Sequence, residues 1–369
     1  MSVAAKPIFA ETDFGAIAGW READHDAALA AFKRSCAQIA ASGRASPRKV
    51  AYGGRRRDWL AVCGRLKARV DARRFFEEAF VPLVVRDPER PQGLFTGYYE
   101  PEAAGSLESD GTYRVPLYAR PADLIGFDAG TAKRLGVAYG RKVGGKSVPY
   151  YTRREIEEGA LDGRGLELVW LKDWADAFFM QVQGSGRVRL RNGRVMRLGY
   201  AAKTGLPYTA IGGILVERGV LTRENVSMQT IRAWMRDNPK LARALMWENK
   251  SYVFFRRIEA GDPGLGPPGA QKVALTPLHS LAVDRSLWML GTPVWLDTQA
   301  PRGEDGKLVP FRALLVAQDT GTAIKGHARG DIFWGAGEDA ALTAGRMKSP
   351  GLMIVLLPKT LAKRLLDRQ

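Results

Sequence analysis

The sequence predicts a mainly β protein with helices at its N-terminus and between blocks of strands. Three observations carry this. Short apolar runs bounded by turn residues recur in the C-terminal third, at Val294–Leu296, Ala313–Ala317 and Ile332–Trp334. Two alternating runs flank Arg191-Asn192-Gly193, and Asn-Gly between such runs is a hairpin signal. Apolar stripes at helical spacing are confined to the start, the middle and the end of the chain.

Taken in order, residues 24–41 carry Leu29, Phe32 and Cys36 on one stripe of an Ala-rich helix. Residues 57–66 (Trp59, Val62, Cys63, Leu66) and 71–81 (Phe75, Phe76, Phe80) give two more helices. At Leu83 the texture changes. The segment 93–106 is aromatic and glycine-rich, and Tyr98-Tyr99-Glu100-Pro101 reads either as a groove lining, where aromatic faces stack on sugars or bases, or as a strand and turn. Residues 107–150 are irregular, with a short strand at 113–118. Strands are expected at 166–171 and 177–183, followed by Gly184-Ser185-Gly186 and the hairpin. The GSGR stretch is no phosphate loop, because a hairpin rather than a helix follows it. Helical spacing returns at Ile211–Val216, at Met228–Met235 and from Pro239. Strands resume at 251–256, 273–275 and 280–284, and 353–357 is a last buried strand before a basic helical tail at 359–368.

The 369 residues suffice for two or three domains, and 46% hydrophobic with 26% charged residues is ordinary for a globular chain with a real core. No apolar run approaches the roughly 18 residues of a membrane span, and the first residues read neither as a signal peptide nor as a lipid-attachment site. A net charge of +17 points to an anionic partner, or to a solvated basic surface, since the basic residues are spread along the chain. Cys36 and Cys63 match no zinc spacing, and with only 3 His no metal constellation is present. The two cysteines are either buried thiols or one disulfide between the first two helices, which would indicate an oxidising compartment.

The remaining chemistry lies in carboxylates. Asp297, Asp319 and Asp331 each adjoin an apolar run, and if the strands pair in one barrel the three could converge. Each could instead support a turn through nearby backbone N–H groups. A buried carboxylic acid kept neutral could protonate a glycosidic oxygen. Asp319-Thr320-Gly321 also matches the aspartic protease tripeptide, but Asp297-Thr298 is followed by Gln299, so a protease would need a dimer mate. A non-catalytic glycan- or nucleic-acid-binding module is the third reading.

The motifs GLFTGYYEP (93–101), FFMQVQGSGRVRL (178–190), the stretch from Gly199-Tyr200 to Ile211, NKSYVFF (249–255), QDTGTAIKG (318–326) and GDIFWG (330–335) resemble, in order, those of the lytic murein transglycosylase A family. The similarity spans about residues 90–358, and its 3D domain takes its name from three aspartates that fall on Asp297, Asp319 and Asp331. The resemblance implies a double-psi β-barrel domain, residues 1–100 with 245–369, and an inserted β domain, 101–244, with glycan bound between them. It implies cleavage of the β-1,4 bond between N-acetylmuramic acid and N-acetylglucosamine, leaving a 1,6-anhydromuramic end. Asp319 would be the single acid/base and Asp297 and Asp331 its support. Tyr98, Tyr99, Glu100, Gln183, Gly184, Ser185, Gly186 and Lys325 would bind substrate, although Lys325 reads equally as a solvating surface residue. No cofactor or metal is expected. Peptidoglycan strands, not nucleic acid, are the expected partner of a monomer in the periplasm, associated peripherally with the outer membrane.

Overall fold

The computed structural model describes residues 8–42, 50–66, 69–87, 92–259, 261–303 and 305–367. The start of the N-terminus, on which the leader and anchor expectation rests, lies outside them. The chain forms two units, Met1–Tyr99 with Asp262–Gln369, and Glu100–Gly261.

The first unit is built on a closed ring of six strands. Lys348–Pro358 pairs with Pro293–Arg302, which pairs with Lys307–Asp319; the ring continues through Ser280–Val283, Arg329–Ala336 and Gly93–Glu100, which closes on Lys348–Pro358. This is consistent with the expected double-psi barrel. Ile8–Glu11 and Phe80–Arg86 extend the sheet beyond Lys348–Pro358. The hairpin of Pro293–Arg302 and Lys307–Asp319 runs antiparallel from Pro293↔Val316 to Arg302↔Lys307, through a turn with Gly303 and Gly306 at positive φ. Val294, Trp295, Leu296 and Leu314–Ala317 are all fully buried. They read as continuous apolar runs, not alternating ones, because both strand faces are covered.

The helix His25–Ala41 supplies part of that cover, burying Leu29, Phe32, Ser35, Cys36 and Ile39. Phe32 meets Phe75, Phe76 and Phe80 in an aromatic cluster with ring centroids 5.6–5.9 Å from it. Cys36 and Cys63 form a disulfide, joining this helix to Arg56–Cys63. A helix not expected from the sequence, Glu338–Arg346, follows the Arg329–Ala336 strand. The expected strand at 273–275 contributes a single bridge, Pro268↔Ala274.

The second unit has a six-stranded sheet ordered Val253–Ile258, Val195–Lys203, Ser185–Leu190, Glu102–Ser106, Glu167–Leu171, Val115–Tyr118, and the bridge Ala119↔Phe255 brings its two ends together. The Asn192-Gly193 hairpin forms as expected, with Gly193 at φ 79°. Val253–Ile258 is an integral strand here, paired with Val195–Lys203, so this unit runs to Gly261 and not to 244.

Residues 177–183, expected as a strand, are helical within Trp174–Gln183. Asp173 caps the start by accepting from Ala175 N–H, and Gly184 ends it in the left-handed region. The run is apolar all round because it serves two cores. Ala177 and Met180 face the sheet core with Val169 and Val188, while Phe178 and Phe179 pack with Ile211, Leu245 and Met246 of the helices. A short run of this kind carries no period by which helix and strand could be told apart.

Candidate active site

The site is assembled on three adjacent strands of the first unit. Ala282 is the register partner of Asp319 on one side and of Asp331 on the other. The two aspartates therefore flank one residue, with Cα atoms roughly 10 Å apart at ordinary strand spacing, and their side chains share a face. The next strand, Gly93–Glu100, adds Thr96 and Tyr98, two residues apart and hence on one face as well.

Asp319 ends its strand at a register shift: Leu281 pairs with Ala317 but Ala282 with Asp319, leaving Gln318 as the extra residue. A bulge of this kind re-aims the side chain beside it. Gln318 is fully buried; it donates to Ala31 O and Ser35 Oγ, both at 2.9 Å, and accepts from Ser280 Oγ. The helix His25–Ala41 thus fixes the residue before the acid.

The two oxygens of Asp319 have different partners. Oδ1 accepts from Ala270 N–H (2.9 Å) and Thr320 N–H (2.8 Å), and Oδ2 accepts from the Tyr98 hydroxyl (3.0 Å). Burial pushes its pKa above the ordinary carboxylate value, more than these three hydrogen bonds pull it down. Although densely surrounded, the residue keeps partial access to solvent, as a proton donor to an entering molecule must. Tyr98 packs on Phe333, ring centroids 5.2 Å apart, and its hydroxyl is held well above its usual pKa by burial and then by Asp319 and Asp331.

Asp331 accepts from Thr96 Oγ1 at 2.5 Å, and that hydroxyl accepts from Arg329 Nη2 at 2.8 Å. Burial raises the Asp331 pKa, with a further rise from Asp319, against the pull of Thr96 and Arg329. Thr96, Arg329, Phe333 and the Ala270 N–H were not foreseen. For Thr96 a signal existed, its two-residue spacing from Tyr98; the Ala270 N–H had none, because it comes from a distant loop.

Asp297 does not join the other two, which corrects the expected convergence. It lies mid-strand, pairs opposite Arg312, and binds the Arg312 guanidinium at 3.1 Å on the outer surface. Arg312 is seven residues before Asp319 on a strand rising about 3.3 Å per residue, so on the order of 20 Å separates Asp297 from the site.

Glu100, expected to touch substrate, is fully buried and bound by Arg187 (2.8 Å) and Arg197 (2.7 Å); its carboxylate holds the second unit's sheet together and faces no solvent. Tyr99 is also buried. Gln183, Gly184, Ser185 and Gly186 form the junction from the helix Trp174–Gln183 into the strand Ser185–Leu190. A Cβ at Gly186 would meet Met180 Sδ at 2.5 Å, whereas at Gly184 it would meet nothing. Lys325 is 63% exposed, 3.4 Å from Asp284. Asp284 is buried and holds the loop after Asp319 by accepting from Gly326 N–H. No metal-binding group of His, Cys, Asp or Glu occurs among the described residues.

Comparison with known proteins agrees with this architecture. The MltA-specific insert domain matches residues 94–256 and the 3D domain residues 279–357. Membrane-bound lytic murein transglycosylase A of Vibrio cholerae is 34% identical over 262 residues, covering 70% of this chain; the chain spans 63% of that protein's length. A crystal structure of membrane-bound lytic murein transglycosylase from Agrobacterium tumefaciens is 35% identical, with 96% of this chain and 99% of that one covered and a TM-score of 0.84. Escherichia coli MltA with bound chitohexaose is 27% identical, with 96% and 93% covered and a TM-score of 0.68. The chain belongs to the membrane-bound lytic murein transglycosylase A family.

Proposed function

We propose that this protein is a lytic transglycosylase of peptidoglycan. It cleaves the β-1,4 bond between N-acetylmuramic acid and N-acetylglucosamine and leaves a 1,6-anhydromuramic end. The observation that carries the reading is Asp319: one carboxylic acid, biased toward its neutral form by burial, with one oxygen saturated and the other open to change.

Because Oδ1 already takes two N–H donors, the proton belongs on Oδ2. The Tyr98 hydroxyl has both a donor and lone pairs, so it turns from donating to the carboxylate to accepting from the acid. Protonated Oδ2 gives its proton to the leaving glycosidic oxygen as the bond from C1 breaks, and positive charge develops on the muramic ring. The C6 hydroxyl closes onto C1, and Oδ2, now ionised and again bonded by Tyr98, takes the hydroxyl proton. One C–O bond breaks and one forms, the proton returns to its donor, and no water is consumed. No second carboxylate is needed as nucleophile, unlike the paired-carboxylate plan of ordinary glycosidases. Asp331, held by Thr96 and Arg329, is proposed to support Asp319 as a second buried carboxyl; of the two it is the one whose pKa the other's charge raises, so Asp319 ionises beside a neutral neighbour.

Gln183, Ser185 and Lys325 are proposed to contact the glycan. The chitohexaose in the E. coli relative supports a glycan ligand, and the +17 charge suits a polymer bearing carboxylates. A cell-envelope location fits the family and the Cys36–Cys63 disulfide. No helix among the described residues is long and apolar enough to cross a membrane. Digestion of purified murein sacculi, with mass analysis of products, tests the function. Anhydromuropeptides are expected from the wild type and not from Asp319→Asn; hydrolytic products with free reducing ends would overturn the reading.

A further inference from the structure

The second unit carries a cavity of about 340 Å³ that shares no residue with the Asp319 cluster. Its walls include two half-exposed indoles, Trp170 and Trp174, and its floor two buried phenols, Tyr118 and Tyr252. Asp162 and Glu167 also line it, and among the described residues neither forms an ion pair. A third carboxylate, Glu157, is already neutralised, by Arg153 at 3.2 Å and Arg243 at 3.4 Å. The Tyr118 hydroxyl lies 3.4 Å from Asp162. Tyr252 is 1% exposed, and its hydroxyl meets the side chain of Gln181, whose oxygen is buried.

The chemistry of the walls selects the ligand. The carboxylates need donors, and the Tyr252 hydroxyl on the same cavity can donate to an acceptor. A pyranose offers both through its hydroxyls, and its C–H face packs on an indole. An ammonium offers donors alone, and Arg114 on the same cavity opposes it. The size falls within the range of small-ligand sites. We propose that this cavity is a second saccharide site, taking one N-acetylhexosamine residue of a glycan against Trp170 and Trp174, with its hydroxyls bound by Asp162, Glu167 and Tyr252. The choice of an N-acetylhexosamine rests on the murein reading of the Asp319 site, and the cavity would give the enzyme a hold on the polymer apart from the reacting bond.

The test uses the full chain bearing Asp319→Asn, so that no sugar is consumed. Its tryptophan indole N–H signals are followed by ¹H–¹⁵N NMR, with Trp170 and Trp174 assigned through Trp170→Phe and Trp174→Phe. Titration with N,N′-diacetylchitobiose is expected to shift both signals saturably. The pair Asp162→Asn with Glu167→Gln is expected to weaken that response roughly tenfold or more. Trp170→Ala, checked for unchanged indole signals elsewhere, is expected to abolish it at Trp174. Static signals at both positions, or shifts produced by Nα-acetyl-lysine amide and not by the sugar, overturn the proposal. Wild-type digestion of sacculi separates the two readings. Anhydromuropeptides without indole shifts remove the second site alone, whereas indole shifts without anhydromuropeptides remove the catalytic reading and leave the saccharide site standing.

Discussion

Tyr98→Phe removes a single oxygen, the one bonded to Asp319 Oδ2 at 3.0 Å, and keeps the ring that packs on Phe333. A hydrogen bond to a charged group contributes about 1.5–3 kcal/mol and one to a neutral group about 0.5–1.5 kcal/mol. The hydroxyl therefore favours ionised over protonated Asp319 by roughly 1–1.5 kcal/mol. At about 1.36 kcal/mol per pKa unit, its loss raises the Asp319 pKa by about one unit. Phenylalanine also leaves the surroundings more apolar, which acts in the same direction. In the proposed mechanism Asp319 is protonated at the start, so activity is expected to fall as pH rises through its pKa. The alkaline limb of kcat/KM is accordingly expected to move up by about one unit, while the rate at the optimum falls because the re-formed carboxylate has lost a donor. The assay is initial release of anhydromuropeptides from sacculi across the pH range, with the melting temperature as a check on folding. A limb that stays in place or moves down would refute the inference that Tyr98 donates to Asp319 in the working enzyme.

Asp319→Asn should abolish turnover by at least two to four powers of ten, measured by product mass analysis. The same variant should be more stable than wild type at neutral pH. The raised folded pKa means that Asp319 favours folding fully only below its unfolded pKa, near 4, and loses that contribution as pH rises through the folded value; the gain in melting temperature should vanish in acid. Asp331→Asn replaces the carboxyl whose pKa is raised by burial and by Asp319 with a neutral group of the same shape, so the alkaline limb should move less than in Tyr98→Phe. Asp297→Asn breaks only a surface pair with Arg312 and should leave the pH profile unmoved and stability within about 1 kcal/mol. Replacing Cys36 and Cys63 with Ser opens a cross-link of 27 residues' separation; a loss of about 3–4 kcal/mol in denaturant unfolding is expected.

Some elements are legible along the chain because their causes are local. The stripe of Leu29, Phe32 and Cys36 is a helix face wherever it packs, and Asn192-Gly193 turns a hairpin by its own backbone preference. The apolar run ending at Asp319 announces a buried strand with an acid at its end, and the motif order from 93 to 335 indicates the family. The rest depends on partners distant in sequence. Ala282 sets Asp319 beside Asp331, and Arg312 draws Asp297 to the outer surface, through strand pairings that no local pattern records. Gln183 ends a helix because Phe178 and Met180 serve opposite cores. Glu100 is lost to solvent because Arg187 and Arg197 close on it from another part of the chain. Sequence alone therefore determines which residues can carry the chemistry, since side-chain pKa and backbone preference are local properties. Tertiary structure decides which of them meet, because register and burial are set by contacts across hundreds of residues.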